Sequence, residues 1–273
     1  MFRTEQNTST VAMAIRVWSL IYHATVRDVR KDHGNALMSI FINIFQTFVF
    51  VGAFFAMFAI LGVQGAGLRG DFLLYILSGV FLFLVFNKSM MSVYGAEGPA
   101  SPMMKHANMN TMIAICAAAL SALYIQTLSI TITLIFYHIG WHSVEFADFG
   151  GVLKVYMVTW LSGVSIGMMF LALRPWVPQA SKMVMTIYSR INMFASGKMF
   201  VANSLPGFML VLFTWNPLFH LIDQMRGYIF INYDPRNTNL EYPLWVALGC
   251  LAIGLMGEFY TRNKASISWN ARR

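Results

Sequence analysis

Charged residues are scarce in this chain. Only 11% of its 273 residues are Asp, Glu, Lys or Arg, whereas 58% are hydrophobic. An ordinary soluble domain carries about 25% charged residues, so the composition argues against one. Cysteine is also scarce: Cys116 and Cys250 both lie in apolar runs, where packing is a more common role than a disulfide. The composition predicts one membrane domain with short loops.

Several sequence patterns of catalysis are missing. No phosphate-binding loop occurs, since Ser196-Gly197-Lys198 is followed by Met and lacks the first glycine of that pattern at its required spacing. No His, Cys, Asp and Glu residues have metal-ligand spacing, and no Gly-x-Ser-x-Gly nucleophile turn occurs. The apolar runs hold too few carboxylates for a proton or sodium relay. If the protein moves a solute uphill, we expect a separate ATPase to supply the energy.

Six segments are long enough to cross roughly 30 Å of hydrocarbon as helices. The fifth is the least apolar, because it contains Arg190 and Lys198. Most of the 19 Lys and Arg residues fall in the segments on one side, which predicts that both termini are cytoplasmic. The six predicted spans are residues 36–63, 72–94, 109–137, 155–173, 183–200 and 242–260.

Two further segments are helical in pattern but do not span. Residues 9–30 predict an amphipathic helix in the inner membrane interface, with Val11, Ile15, Trp18 and Ile21 or Tyr22 in one apolar stripe. The apolar pieces 207–215 and 218–231 are each too short to cross alone, and we expect a re-entrant helix pair there.

The predicted fold is therefore an all-α integral membrane protein with six transmembrane helices. Residues 1–35 are expected to form a cytoplasmic tail and interfacial helix, residues 36–261 the transmembrane domain, and residues 262–273 a basic cytoplasmic tail. Between the two short pieces lies Asn216-Pro217. Asn is a favoured helix N-cap and Pro suits the first turn, so a new helix is expected to begin there.

Residues 197–226 resemble the C-terminal half of type-2 ATP-binding-cassette (ABC) exporter permeases, most closely the capsule polysaccharide export permeases of Gram-negative bacteria. Asp223 stands where that family has Glu, and Val201 replaces a family proline. Residues 27–34 and 259–262 are also similar to the family's sequences before the first span and after the last. The matching residues are Met199-Phe200, Leu205-Pro206, Trp215-Asn216-Pro217-Leu218, His220, Asp223 and Arg226.

The resemblance implies a half-transporter of the bacterial inner membrane. Two copies would form the pathway, each docked on a cytoplasmic ATPase subunit that binds ATP and Mg²⁺, with no cofactor in this chain. A periplasmic co-polymerase and an outer-membrane pore would complete the route. The chain itself would contact membrane lipids and no nucleic acid. The cargo is capsular polysaccharide or a related glycolipid-linked polymer; O-antigen, teichoic acid or a drug remain alternatives, as do a lipid-modifying enzyme and a channel.

Two groups of residues are candidates for the substrate pathway. Within the resemblance, Arg190 and Lys198 would attract acidic sugars or a phosphate-bearing lipid anchor, although Lys198 could instead extend to the outer interface. An aromatic stripe on the first span either offers sugar rings a sliding surface or packs against helices and lipid. Its members are Phe41, Phe45, Phe48 and Phe55.

An outer gate is predicted at Asn216, Pro217, His220, Asp223 and Arg226, where Asp223 and Arg226 could pair on one helix face. The alternative is a purely structural ion pair that holds the re-entrant turn, and His220 is expected to be structural.

Contact with the ATPase is expected at the polar loop 95–110. Residues of the interfacial helix either contribute to this contact or bind lipid headgroups. The candidate residues are Glu97, Pro102, Lys105, His106, Arg27, Asp28 and Arg30.

Overall fold

A computed structural model describes residues 10–31, 36–60, 71–97 and 110–270, and every regular element within these ranges is helical. A short 3-10 turn, Ala202–Ser204, precedes the seventh helix. The α-helices are α1 (Thr10–Lys31), α2 (Ala36–Ile60), α3 (Phe72–Tyr94), α4 (Thr111–Gly140), α5 (Phe149–Leu173), α6 (Pro178–Ala195), α7 (Gly207–Phe213), α8 (Pro217–Ile229) and α9 (Glu241–Asn270).

Five of the described helices are long and apolar enough to cross a membrane, and they coincide with five of the six predicted spans. They are Met38–Ile60, Phe72–Tyr94, Thr111–Gly140, Phe149–Leu173 and Glu241–Lys264. The remaining predicted span, 183–200, overlaps α6, which begins and ends five residues earlier, has 18 residues and is more polar than the five.

Asx side chains begin four of these helices. Asp71, Asn110 and Asp148 each accept a hydrogen bond from the backbone N–H two residues on, at the starts of α3, α4 and α5. Asn216 does the same for α8, with Pro217 in the first turn. These caps satisfy N–H groups that have no partner inside the helix. The start of α8 predicted from Asn216-Pro217 is confirmed.

Helix α3 lies at the centre of the fold and packs against α2, α4, α5 and α8. Most of its residues are buried and apolar, as expected for a helix that neighbours surround, and Asn87 and Lys88 near its end are partly buried. Gly163 and Gly167 of α5 face it so closely that a Cβ would lie 2.5 Å from the Phe86 carbonyl oxygen and 2.7 Å from that of Met90. This small-residue spacing lets two membrane helices pack backbone to backbone.

Helix α1 packs against the first half of α4, where Ala24 meets Ile113 and Ala117. Its predicted apolar stripe points away from the rest of the chain, with Trp18 70% exposed. This orientation agrees with the predicted helix in the membrane interface, since an amphipathic helix there turns its apolar face to the acyl chains.

The two short helices α7 and α8 differ in burial. Almost all of α8 is buried against α3, α5 and α9, whereas α7 has no buried residue and exposes Phe208, Val211 and Leu212. Both lie at the end of the bundle where α3 and α5 begin, because the backbone N–H of Asp148 donates to the Tyr228 carbonyl. This end is opposite the one that carries α1.

Candidate functional site

The segment between α6 and α9, residues 196–240, caps the bundle at the end opposite α1; we call it the capping segment. Asn216 connects it to α6. The Asn216 amide nitrogen donates to Asn192 Oδ1 (2.8 Å) and to the Ala195 carbonyl (3.0 Å), while its Oδ1 caps α8. One side chain thus joins the end of α6 to the start of α8.

Arg226 fixes the turn that follows α6. It is fully buried, and its guanidinium donates to the carbonyl oxygens of Gly197 (2.8 Å), Lys198 (2.7 Å) and Phe200 (2.7 Å). Its Cζ also lies 4.0 Å from the ring centroid of Tyr75 on α3. The five N–H donors of a planar guanidinium suit this role, which a single ammonium could not fill.

Asp223 fixes the other end of the same stretch. Its carboxylate accepts hydrogen bonds from the Tyr233 hydroxyl (2.5 Å), the Thr238 hydroxyl (2.8 Å) and the Ala202 backbone N–H (3.2 Å). Burial and then the bond to Asp223 raise the pKa of Tyr233, so the phenol stays protonated and donates.

The structure differs here from the ion pair considered above. Among the described residues no salt bridge joins Asp223 to Arg226; each side chain is occupied by its own partners. The two residues act on one feature nonetheless, because Arg226 binds residues 197–200 and Asp223 binds Ala202.

His220 is neutral in this arrangement. Its Nδ1 accepts a hydrogen bond from the Asn239 backbone N–H (3.2 Å), so the proton is on Nε2, which donates to the Thr214 carbonyl (2.9 Å). Burial lowers the pKa of His220. The ring joins α8 to the stretch before α9 and also contacts the Tyr242 ring, 5.0 Å away between centroids.

Lys198 is buried in the single chain, where it is 2% exposed, and its part in a pathway stays a prediction. Its Nζ has no hydrogen-bond partner among the described residues. Instead it faces the rings of Phe83, Phe54 and Phe50, at 3.7, 4.6 and 4.9 Å from their centroids.

This aromatic cage depends on close approach of α3. A Cβ on Gly79 would lie 2.7 Å from Lys198 Cβ and 3.1 Å from Arg226 Nη2. Gly197 has a positive φ of 77°, and a Cβ there would meet the Phe219 ring at 2.6 Å. The turn can therefore lie against α3 only with glycine at both positions.

The remaining pathway candidates lie on the outside of the single chain. Arg190 is exposed, on the same face of α6 as Met183, Ile187 and Phe194. The predicted aromatic stripe of α2 is exposed as well: Phe41, Phe45, Phe48 and Phe55. Their roles in a pathway stay predictions.

The predicted ATPase contact is only partly described. Arg27, Asp28 and Arg30 lie in the last turns of α1, and Glu97 follows α3 at the same end of the bundle. Arg27 lies 3.7 Å from Asp28. Pro102, Lys105 and His106 lie outside the described residues.

The sequence did not reveal several residues that hold the capping segment in place. Asn192, Tyr233 and Thr238 carry no motif of their own, and the cage residues are three of 23 phenylalanines. An isolated glycine inside an apolar span, Gly79, was the one available signal of close backbone approach. The described residues contain no group of His, Cys, Asp and Glu that could hold a metal.

Comparisons with known proteins agree with the resemblance. No model of a protein family matches the chain. Two curated proteins do match, both from Escherichia coli and both named polysialic acid transport protein KpsM. They are 23% and 24% identical over 202 residues, which cover 72% of this chain and 76% of each relative.

The chain is thus distantly similar to polysaccharide transport proteins of this kind. The name of these relatives is that of a transport protein, in agreement with the prediction of a transporter subunit rather than an enzyme.

Proposed function

We propose that this chain is the membrane subunit of an ABC exporter in the bacterial inner membrane. Its cargo is an acidic capsular polysaccharide or a related glycolipid-linked polymer. The capping segment is the observation that carries this proposal. In the exporter-like sequence block, the hydrogen bonds of His220, Asp223 and Arg226 organise that segment internally. Those of Asn216 join the segment to α6.

We count α6 as the sixth span, although it is shorter and more polar than the others. Its inward face carries Ser181, Ser189 and Asn192, whereas Met183 and Phe194 point outward. Such an inverted helix would be costly in water, but it suits a bilayer, where small and polar side chains bond between helices and apolar ones meet lipid. With six spans, the excess of Lys and Arg on one side supports cytoplasmic termini.

A homodimer accounts for the outward position of the pathway candidates. Arg190 on an apolar membrane face would be costly against lipid alone. A second copy facing α6 and the α2 stripe would form a seam where Arg190 meets water and an acidic cargo. The phenylalanines of α2 would then form a surface along which sugar rings can slide without a fixed orientation.

The energy is proposed to come from two cytoplasmic ATPase subunits, which hold the ATP and Mg²⁺. Closure of the ATPase pair would push on α1 and on the connection between α3 and α4, where Glu97, Pro102, Lys105 and His106 lie. A periplasmic co-polymerase and an outer-membrane pore would carry the polymer onward.

Purification of the full chain from its native membrane tests the assembly. We expect an ABC ATPase to copurify in equal amount, with a particle mass that fits two copies of each chain. Recovery of the chain alone, conducting ions in a planar bilayer, would instead indicate a channel.

Substitution of Arg190 tests the pathway. We expect Arg190→Ala to abolish surface polymer while the protein level in the membrane is unchanged, because the cation facing the cargo is lost. Lys182→Ala is the matched control, since Lys182 is exposed on the first turns of the same helix. Normal export by Arg190→Ala would remove Arg190 from the pathway.

A further inference from the structure

A polar cavity of about 330 Å³ opens between α1, α2, α3 and α4, at the end of the bundle opposite the capping segment. Its walls carry both signs of charge: Lys88 from α3, Asp28 from α1, and Glu97 just after α3. The amides of Asn43 and Gln126 add polar groups, and apolar side chains such as Met91 and Ile125 make up the rest of the wall. The proposed export mechanism uses this end of the bundle for the ATPase contact but gives the cavity itself no ligand.

Lys88 is the central group of the cavity. It lies inside a membrane span, six residues and so about 9 Å before the end of α3. Its Nζ donates to Gln46 Oε1 at 2.8 Å. A cation at this depth in a span is expensive unless it has a partner or a ligand.

The amide walls are already ordered. Gln126 is 3% exposed and donates to Asn43 Oδ1 at 3.3 Å, and Asn43 in turn donates to the Ser39 carbonyl at 3.1 Å. The cavity is therefore a built polar site within the helix bundle rather than a gap between apolar surfaces.

The position of α1 sets the depth of the cavity in the membrane. The same helix supplies Asp28 to the cavity and turns Val11, Ile15 and Trp18 outward. An amphipathic helix of this kind lies at the boundary between headgroups and acyl chains. The cavity is then at the level of the lipid headgroups on the α1 side, which is the cytoplasmic leaflet in the proposed topology.

The charges of the cavity fit a ligand with no net charge of its own. Lys88 is balanced by Asp28 and Glu97, and Arg27 lies 3.7 Å from Asp28, so the four groups together are neutral. A purely anionic ligand would meet two carboxylates. A ligand that carries a phosphate and a primary ammonium finds the opposite charge for each.

We propose that this cavity binds the headgroup of phosphatidylethanolamine from the surrounding leaflet. The phosphate lies by Lys88, and the ammonium donates hydrogen bonds to Asp28 and Glu97. The choline of phosphatidylcholine has no N–H group to donate, and phosphatidylglycerol brings a negative charge without an ammonium. The cavity therefore distinguishes headgroups by charge and by N–H donors.

Thermal unfolding of the delipidated full chain in detergent tests this proposal, independently of export. Lipids with identical acyl chains are added, in the series phosphatidylethanolamine, its N-methyl and N,N-dimethyl derivatives, and phosphatidylcholine, with phosphatidylglycerol alongside. We expect phosphatidylethanolamine to raise the Tm by about 3 °C more than phosphatidylcholine, with the effect declining as N–H donors are replaced by methyl groups.

Variants assign the effect to the cavity. Lys88→Met and Asp28→Asn should each remove the preference for phosphatidylethanolamine. Lys182→Met should keep it, because Lys182 is exposed on α6 near the same end of the bundle but outside the cavity. Equal Tm shifts for all the lipids, a larger shift with phosphatidylglycerol, or an unchanged preference in Lys88→Met would overturn the proposal. The lipid series needs only the wild-type chain, so it decides the question even if the variants do not fold.

Discussion

Two buried cations in the capping segment are held in opposite ways. Arg226 donates three hydrogen bonds to backbone carbonyls, at 2.7 to 2.8 Å, and its guanidinium covers the Tyr75 ring. Lys198, whose own carbonyl accepts one of those bonds, surrounds its ammonium with phenylalanine rings only. A guanidinium is weakly hydrated and rich in donors, whereas an ammonium is strongly hydrated.

The contrast separates two uses of a buried charge. Arg226 organises a turn that has no regular secondary structure to satisfy its carbonyl groups. Lys198 gives up its hydration for cation–π contacts alone, which are each worth about 0.5–2 kcal/mol. We therefore expect the capping segment to depend on the charge of Arg226 and not on that of Lys198.

Removal of Arg226 should have the largest effect. In Arg226→Met the carbonyls of Lys198 and Phe200 lose their donor, and that of Gly197 keeps only a 3.4 Å bond from the Phe200 N–H. Each buried group left unsatisfied costs about 1–3 kcal/mol. We expect little folded protein in the membrane, measured by yield and by Tm in detergent. Arg226→Lys should give an intermediate loss, because one ammonium cannot reach all three carbonyls in the same geometry. An unchanged Tm in Arg226→Met would remove the organising role assigned to this residue.

Gly79→Ala should disturb both cations together. The new methyl group would lie 2.7 Å from Lys198 Cβ and 3.1 Å from Arg226 Nη2. Overpacking of this kind costs about 1–3 kcal/mol, so a lower Tm is expected. The matched control is Gly52→Ala on α2, where no atom lies within 4 Å of the added Cβ. If both variants unfold at the wild-type temperature, the turn is not held against α3 as described.

Lys198→Met should act in the opposite direction. Burial lowers the pKa of the Lys198 amine to about 7, and its Nζ has no hydrogen-bond partner among the described residues. An apolar side chain of similar size removes the cost of burying this amine, so we expect a higher Tm. Lys182→Met, at an exposed site of α6, should leave the Tm unchanged. A lower Tm in Lys198→Met would mean that the cation–π contacts exceed the cost of desolvation. Loss of export by a folded variant would give Lys198 a part in transport.

His220 is a third buried basic residue of the capping segment, and it is neutral. Because burial lowers the pKa of His220, this residue takes up a proton at a lower pH in the folded protein than in the unfolded chain, where its pKa is near the ordinary value of 6.5. Its contribution to stability is complete above pH 6.5 and is lost as the pH falls below that value. We expect the Tm to fall between about pH 7 and pH 5, and to fall less in His220→Gln. An identical pH dependence in both proteins would contradict this assignment.

Much of the helical framework could be predicted from the sequence, because membrane spans are read from length and hydropathy. The expected spans 72–94 and 155–173 end at the same residues as α3 and α5. The interfacial helix, predicted as 9–30, is Thr10–Lys31. The last helix, α9, continues past the predicted span 242–260 to Asn270, because polar residues can continue a helix beyond the hydrocarbon.

Of the functional residues in the capping segment, only those in the exporter-like sequence block could be predicted. Asn216, His220, Asp223 and Arg226 were identified, but their partners were not, since Gly197, Asn239 and Tyr75 are joined to them by the fold alone. An i, i+3 spacing allowed a pair between Asp223 and Arg226. It could not reveal that Arg226 binds backbone carbonyls, whereas Asp223 binds two hydroxyl groups and one backbone N–H. The aromatic cage around Lys198 was not predicted, because its rings come from α2 and α3, more than 100 residues away in sequence.

The most direct test of the export function is the location of surface polymer in a strain that lacks this chain. We predict that the polymer accumulates inside the cell and is missing from the surface, and that the wild-type gene restores it while Arg190→Ala does not. The retained polymer would also identify the cargo. Normal amounts of capsular polymer at the surface of the deletion strain would contradict the proposed function.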